Sequence, residues 1–141
     1  MKVDTYVRAP DENDVNFIIS SWLRSYRETN RHINPVIFYN SQEALILDIL
    51  KKSKVFISCN PDYLNQIFGY IVFDQIRDLT IVHYVYVKHP FRRLGIGSEL
   101  FHSINRTLDL PCIATHHTRI FPEISRAWDI VYNPYILIRG I

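Results

Sequence analysis

The sequence is poor in the residues that mark several kinds of protein. It has two cysteines in 141 residues, Cys59 and Cys112, far apart and in no Cys-x-x-Cys pair, which leaves no basis for a disulfide-stapled scaffold or a cysteine ribbon around a metal. Each lies in an apolar, strand-like run, so both are read as buried free thiols of a reducing compartment, the cytoplasm. With four glycines there is no Gly/Ser linker, no low-complexity tract and no internal repeat to mark a second domain, and residues 1–141 are read as a single domain. No uninterrupted apolar segment approaches the ~18 residues that span a bilayer, and Met1-Lys2-Val3-Asp4-Thr5 lacks the apolar centre of a secretion signal, so no membrane partner is expected.

A dominant sign of charge is missing as well. Sixteen Lys and Arg against fourteen Asp and Glu give a net charge of +2, too mild to demand nucleic acid, although Lys88, His89, Arg92, Arg93 and Arg106 could form a local basic patch that suits phosphate groups. What the chain does have is hydrophobic material, 48% of its residues, enough to pack a core.

Patterning divides that material into elements. Residues 3–8 alternate as a half-buried strand would. Asp11 and Asp14 have capping-box spacing, and Val15, Ile18, Ile19, Trp22, Leu23 and Tyr26 then recur on one helical face. Trp22 is read as core. Arg24, Arg27 and Arg31 are read as a solvated face. A polar loop is expected over residues 29–40, with Ser41 capping a second helix that ends on Lys51-Lys52. Residues 54–59, 67–74 and 79–88 read as an antiparallel meander. A helix presenting Ile96, Leu100, Ile104 and Leu108 runs until Pro111, a strand follows over 112–116, Pro122 opens another helix stopped by Asn133-Pro134, and a last short strand occupies 135–138.

The segment from Val85 to Phe101 carries the most information. A β-branched and aromatic strand ends in His89-Pro90-Phe91 and passes through Arg92-Arg93-Leu94-Gly95-Ile96-Gly97-Ser98 into a helix. Such a turn leaves backbone N–H groups unpaired beside the positive end of a helix dipole, a natural phosphate receptor, and glycine lets a ligand approach the backbone. The residues after Gly97 are Ser98, Glu99 and Leu100, which excludes both the Gly-Lys-Ser/Thr ending of a Walker loop and the third glycine of a dinucleotide fingerprint. An ordinary strand-to-helix turn would also use these residue types.

Arg92-Arg93-Leu94-Gly95-Ile96-Gly97, with Val87 five residues before the arginine, resembles the Arg/Gln-x-x-Gly-x-Gly/Ala motif of the GNAT N-acetyltransferases. The element order β-α-α-β-β-β-α-β-α-β extends the likeness over essentially the whole chain. The resemblance implies a mixed α/β fold of the α+β kind, with a mostly antiparallel sheet in which the strands flanking the motif helix run parallel and splay apart. It implies acetyl-CoA as co-substrate, with no metal. Arg92, Arg93, Leu94, Gly95, Ile96, Gly97 and Ser98 would take its pyrophosphate, and Val85 and Val87 would pair with the pantetheine arm. The partners would be a coenzyme A thioester and a primary amine, on a small molecule or a protein. Compact acetyltransferases of this kind are associated with bacteria and their phages.

Acetyl transfer makes chemical demands that the sequence can be searched for. A lysine-like amine with pKa ~10.4 costs about 4 to 5 kcal/mol to deprotonate at pH 7. The tetrahedral oxyanion needs a donor, and the resemblance implies a backbone N–H at Val87 or a neighbour. The thiolate needs an acid: Ala127 and Tyr132 match the family's Ala-x-x-x-x-Tyr interval at a helix end, although Asn133-Pro134-Tyr135-Ile136 replaces what usually follows, and Tyr135 is the reserve. A tyrosine there would equally serve by packing its ring. Where some relatives carry a glutamate base this chain has His83, which could accept a proton or be a satisfied structural residue. Of His116 and His117 at most one can face the cleft, since adjacent strand residues point to opposite faces, and Glu123 is a further candidate. The family usually ends in a two-stranded hairpin that is absent here, which implies an open acceptor side or one completed by a second copy. The competing class is a GNAT-fold binding protein that has lost catalysis and acts through a protein surface; a small basic nucleic-acid binder is a third.

Overall fold

The computed structural model describes residues 3–77, 79–104, 112–118 and 130–137. Strand β1 (Tyr6–Arg8) leads through a short 3-10 turn into α1 (Val15–Arg27), and α2 (Pro35–Lys52) follows. Then come β2 (Lys54–Asn60), β3 (Tyr63–Ile76), β4 (Leu79–Val87), α3 (Ile96–Ser103), β5 (Cys112–Ala114) and β6 (Ile130–Tyr132). The strands form one six-stranded sheet in sequence order. Strands β1 to β4 are antiparallel neighbours, whereas β4 and β5, and β5 and β6, run parallel. This is the mixed sheet that the resemblance implied, with β4 and β5 as the expected parallel pair and a second parallel pair, β5 and β6, beyond it.

Local chemistry explains the helix starts. The capping box ahead of α1 is formed, with Asp11 N–H donating to Asp14 Oδ2 at 2.7 Å and Asn13 N–H to Asp11 Oδ1 at 2.8 Å. Helix α2 begins earlier than expected: Asn34 Oδ1 accepts from Val36 and Ile37 N–H, and Pro35 supplies the first helical φ, so the cap is Asn34 and not Ser41. The connection between the helices is therefore short. Arg27 holds it, donating to the carbonyls of Asn30 (3.2 Å) and Ile33 (2.7 Å) with its guanidinium over the Phe38 ring. That contact takes Arg27 out of the solvated face to which its sequence neighbours belong.

Apolar side chains cover both faces of the sheet. On one face Ile18, Trp22, Ile46 and Ile49 from α1 and α2 pack against Val55, Ile57, Tyr70, Val72 and Tyr84. On the other, Ile96, Leu100, Phe101 and Ile104 of the α3 segment pack against Phe68, Ile71, Phe73, Val82, Cys112, Ala114 and Ile130. Cys59 and Cys112 are buried and form no disulfide, as expected. No helix among the described residues is long and apolar enough to cross a membrane.

The C-terminal elements differ from expectation. Residues 130–132 are a strand parallel to β5, so Tyr132 stands on β6 and not at a helix end, and Pro134–Leu137 form a 3-10 turn where a final strand was expected. Parallel pairing decides this: Asn133 N–H donates to the Ala114 carbonyl at 2.8 Å, continuing the ladder to the point where Pro134 removes the next donor. Helix α3 ends at Ser103 with Ile104 already extended, earlier than the expected stop at Pro111; Leu108, Pro111, and the stretch with Pro122, Glu123 and Ala127 lie outside the described residues.

Candidate active site

Strands β4 and β5 part company. They pair at Thr80 with Cys112, Ile81 with Ile113 and Val82 with Ala114, and a last link runs from Thr115 N–H to the Val82 carbonyl at 3.1 Å. Strand β4 continues to Val87 against β3 alone. Ladder periodicity shows what it offers the gap. Lys88 N–H donates to Phe68 O at 2.8 Å and Tyr70 lies opposite Tyr86, so alternate residues of this stretch bond to β3 while Val85 and Val87 turn N–H and C=O away from it. These are the two positions expected to meet a pantetheine arm.

The gap leads down to the turn before α3. Gly95 has φ +83°, a left-handed conformation that glycine adopts without steric cost, and Arg93 adopts φ +67°, which costs a residue with a Cβ about 1 to 2 kcal/mol. Strain of this kind is retained where the surrounding structure over-determines it. Glu99 N–H makes the first helical bond, to Gly95 O at 3.0 Å. Among the described residues the N–H groups of Arg93, Leu94, Gly95, Ile96, Gly97 and Ser98 meet no backbone or side-chain acceptor. The space beside them is open, since a Cβ built on Gly97 would meet nothing nearer than Val87 Cγ2 at 3.9 Å. Donors, dipole and space fit a diphosphate. Arg92 turns inward instead, its Nε donating to the Val87 carbonyl at 2.9 Å.

At the fork itself stands His83. Val72 pairs with Tyr84 and Phe73 with Val82, so His83 is an extra residue on β4, a β-bulge. It is buried, with Nε2 at 2.8 Å from Asp74 Oδ2 and Nδ1 at 3.1 Å from Thr115 Oγ1. Burial pushes its pKa down and outweighs the Asp74 carboxylate, which acts the other way. Both ring nitrogens are thus engaged within the protein. Thr115 Oγ1 also lies 2.9 Å from His116 Nδ1, and the buried His116 ring packs among Trp22, Tyr26 and Tyr84. Its pKa falls to about 3, through burial first and the neighbouring His83 second. His117 is exposed; β5 stops at Ala114 and not at residue 116, and Thr115 and His116 beyond it are both buried, so strand alternation does not set the two histidines apart.

Tyr132 pairs with Ala114, which pairs in turn with Val82, so it stands one strand beyond the last rung of the fork. It is 41% exposed, and its ring lies 5.4 Å from that of His117. Tyr135 is more exposed and farther along, on the 3-10 turn. Sequence reading missed Asp74 altogether: a lone acid near a strand end gives no sign of the histidine it will meet across a bulge.

Comparison with known proteins agrees with this fold. The chain belongs to the acetyltransferase (GNAT) family, whose family model matches residues 16–108. No curated protein matches the sequence. Among solved structures it is similar to a possible acetyltransferase from Clostridium difficile 630, at 18% identity and TM-score 0.60 over 92% of this chain and 91% of that one. It is similar also to an acetyltransferase of the GNAT family from Staphylococcus aureus Mu50, at 13% identity and TM-score 0.54, covering 72% of this chain; it spans 64% of that relative's length. A third likeness is to the PaiA N-acetyltransferase from Thermoplasma acidophilum in complex with coenzyme A, at 14% identity and TM-score 0.51, over 72% of this chain and 69% of that one.

Proposed function

We propose that this protein is a cytoplasmic N-acetyltransferase that passes the acetyl group of acetyl-CoA directly to a primary amine, without a covalent enzyme intermediate. The observation that carries the reading is the row of unpaired N–H groups from Arg93 to Ser98 at the foot of the gap between β4 and β5. The diphosphate binds those amides, and the pantetheine arm runs along Val85 and Val87 as an added strand would. The thioester carbonyl then lies within reach of a β4 N–H, Val87 or its neighbour, which stabilises the oxyanion; loss of one such donor typically costs about 3 to 4 kcal/mol. Tyr132 donates to the departing thiolate.

Thermal unfolding with and without acetyl-CoA tests the cofactor half of this reading. A ligand at about 100 times its dissociation constant stabilises by ~2.7 kcal/mol. A melting curve that acetyl-CoA leaves unmoved overturns the reading. Thiol release with a panel of amines and peptides then tests transfer. The second reading, a GNAT-fold binding protein without catalysis, is favoured by the engagement of both His83 nitrogens inside the protein; cofactor binding with no thiol released from any amine would decide for it.

A further inference from the structure

The side chains at the fork form a directed chain. Ser53 Oγ lies 2.6 Å from Asp74 Oδ2, Asp74 meets His83, His83 meets Thr115, and Thr115 meets His116. The protons on it can be placed one by one. Asp74 is a carboxylate and only accepts, so His83 carries its proton on Nε2. A neutral His83 then has a bare Nδ1, to which the Thr115 hydroxyl must donate. The hydroxyl has no second proton, so the contact with His116 requires Nδ1–H on that ring. His116 is left with a bare Nε2. A carboxylate on β3 therefore fixes the tautomer of an imidazole on the far side of the fork, the first residue beyond the last β4–β5 rung.

The geometry points to His116 as the proton acceptor for the attacking amine, with Asp74, His83 and Thr115 as positioning residues that relay the charge. This rests on the acetyltransferase reading. In the tetrahedral intermediate the amine nitrogen, directly or through water, gives a proton to His116 Nε2. The Nδ1 proton passes to Thr115 Oγ1 and the threonine proton to His83 Nδ1, so the positive charge comes to rest on His83 against the Asp74 carboxylate. When the C–S bond breaks, Tyr132 protonates the sulfur. The stored proton then returns through Thr115 to His116 and, through water, replaces the one Tyr132 gave up. The chain ends each turnover as it began: an amine and acetyl-CoA have become an amide and free coenzyme A. Burial keeps the resting His116 ring neutral, so its Nε2 lone pair carries no proton at working pH; the same burial resists protonation, and the charge is therefore carried on to His83, beside the Asp74 carboxylate. The titratable groups around it are His83, Tyr26 on α1 and Tyr84 on β4, while Asp74 faces His83; burial raises both phenols, so neither is ionised.

Nitrogen-15 spectroscopy of the imidazoles in the full chain tests the tautomers without any variant. The expected result is a proton on Nε2 of His83 and on Nδ1 of His116; the opposite tautomer at His116 overturns the proposal. Kinetics test the relay. Thr115→Val keeps the volume and removes the hydroxyl. It should leave acetyl-CoA affinity within about twofold while kcat falls roughly 100-fold, the scale of general-base assistance. The variant's rate should rise with pH across a range where the native rate is flat, and Thr115→Ser should restore most of it. Unchanged kcat and pH profile in Thr115→Val, in a chain whose native form transfers acetyl groups, overturn the relay alone. A native chain that does not bind acetyl-CoA overturns the relay together with the acetyltransferase reading.

Discussion

Arg92 Nε donates to the carbonyl oxygen of Val87 at 2.9 Å, tying the first residue of the glycine turn to the last residue of the strand that borders the gap. The arginine is thereby a strut between the two halves of the candidate cofactor site. Arg92→Ala is expected to lower stability by about 1 kcal/mol, the usual net worth of one such hydrogen bond, seen as a shifted denaturant midpoint. Acetyl-CoA affinity should fall roughly tenfold, because the turn would no longer be held against β4. An unchanged affinity would show that the turn keeps its shape without the strut.

Gly97 separates the needs of the fold from those of the ligand. Its backbone is helical, and an added Cβ would meet only Val87 Cγ2 at 3.9 Å. Gly97→Leu should therefore fold, with a ligand-free melting temperature no lower than the native one, since leucine is the better helix former by about 0.8 kcal/mol. Its side chain would occupy the space beside the unpaired N–H groups. The stabilisation given by acetyl-CoA should largely disappear. If that stabilisation persists, the diphosphate lies elsewhere.

Tyr132→Phe removes one hydroxyl from an exposed strand position and leaves the ring against His117. Turnover should fall by roughly 100-fold, as for loss of a general acid, with acetyl-CoA affinity unaltered. A large affinity loss would mean that the phenol binds the cofactor and does not serve the sulfur. Tyr135→Phe, on the following turn, should change neither quantity.

The fold was legible wherever local chemistry decided it. The capping pair Asp11 and Asp14, the stripe from Ile18 to Tyr26 and the strand before Gly95 all follow from side-chain spacing alone, and each formed where it was expected. The early start of helix α2 was missed because Asn34-Pro35, its cap and first residue, read as loop and because Val36 and Ile37, exposed at 67% and 61%, join no apolar stripe with the rest of the helix. Tyr132 was placed on a helix because Ile124, Ala127, Trp128 and Val131 have helical spacing; the β-forming triplet Ile130-Val131-Tyr132 pairs instead with β5, a long-range event that the helical spacing concealed. The environment of His83 was illegible for a similar reason. A bulge is set by cross-strand register, and one extra residue on β4 brings Asp74, Thr115 and His116 into a single chain of hydrogen bonds that sequence distance gives no hint of.

The buried histidines also give the protein an acid limit that can be calculated in sign and window. His83 and His116 both titrate below an unfolded histidine, His116 at about 3, against an unfolded value of ~6.5. From pH 6.5 downward the unfolded chain binds protons that the native chain refuses, so their contribution to stability is complete above that pH and is lost as the native values are approached. Each imidazole adds a slope of at most about 1.4 kcal/mol per pH unit. The ion pair between Arg8 and Asp14, at 2.7 Å, holds the Asp14 carboxyl below its ordinary range, so its contribution is present above the unfolded value of 3.8 and is lost mainly as the pH falls below it. Denaturant unfolding between pH 6.5 and 4 therefore reads the histidines with little interference from that pair. The native protein should weaken steadily over this interval, and His116→Phe should flatten the slope even where it lowers stability at pH 7. An equal slope in the variant would mean that His116 is protonated in the native state, and a protonated ring has no bare nitrogen to offer an amine.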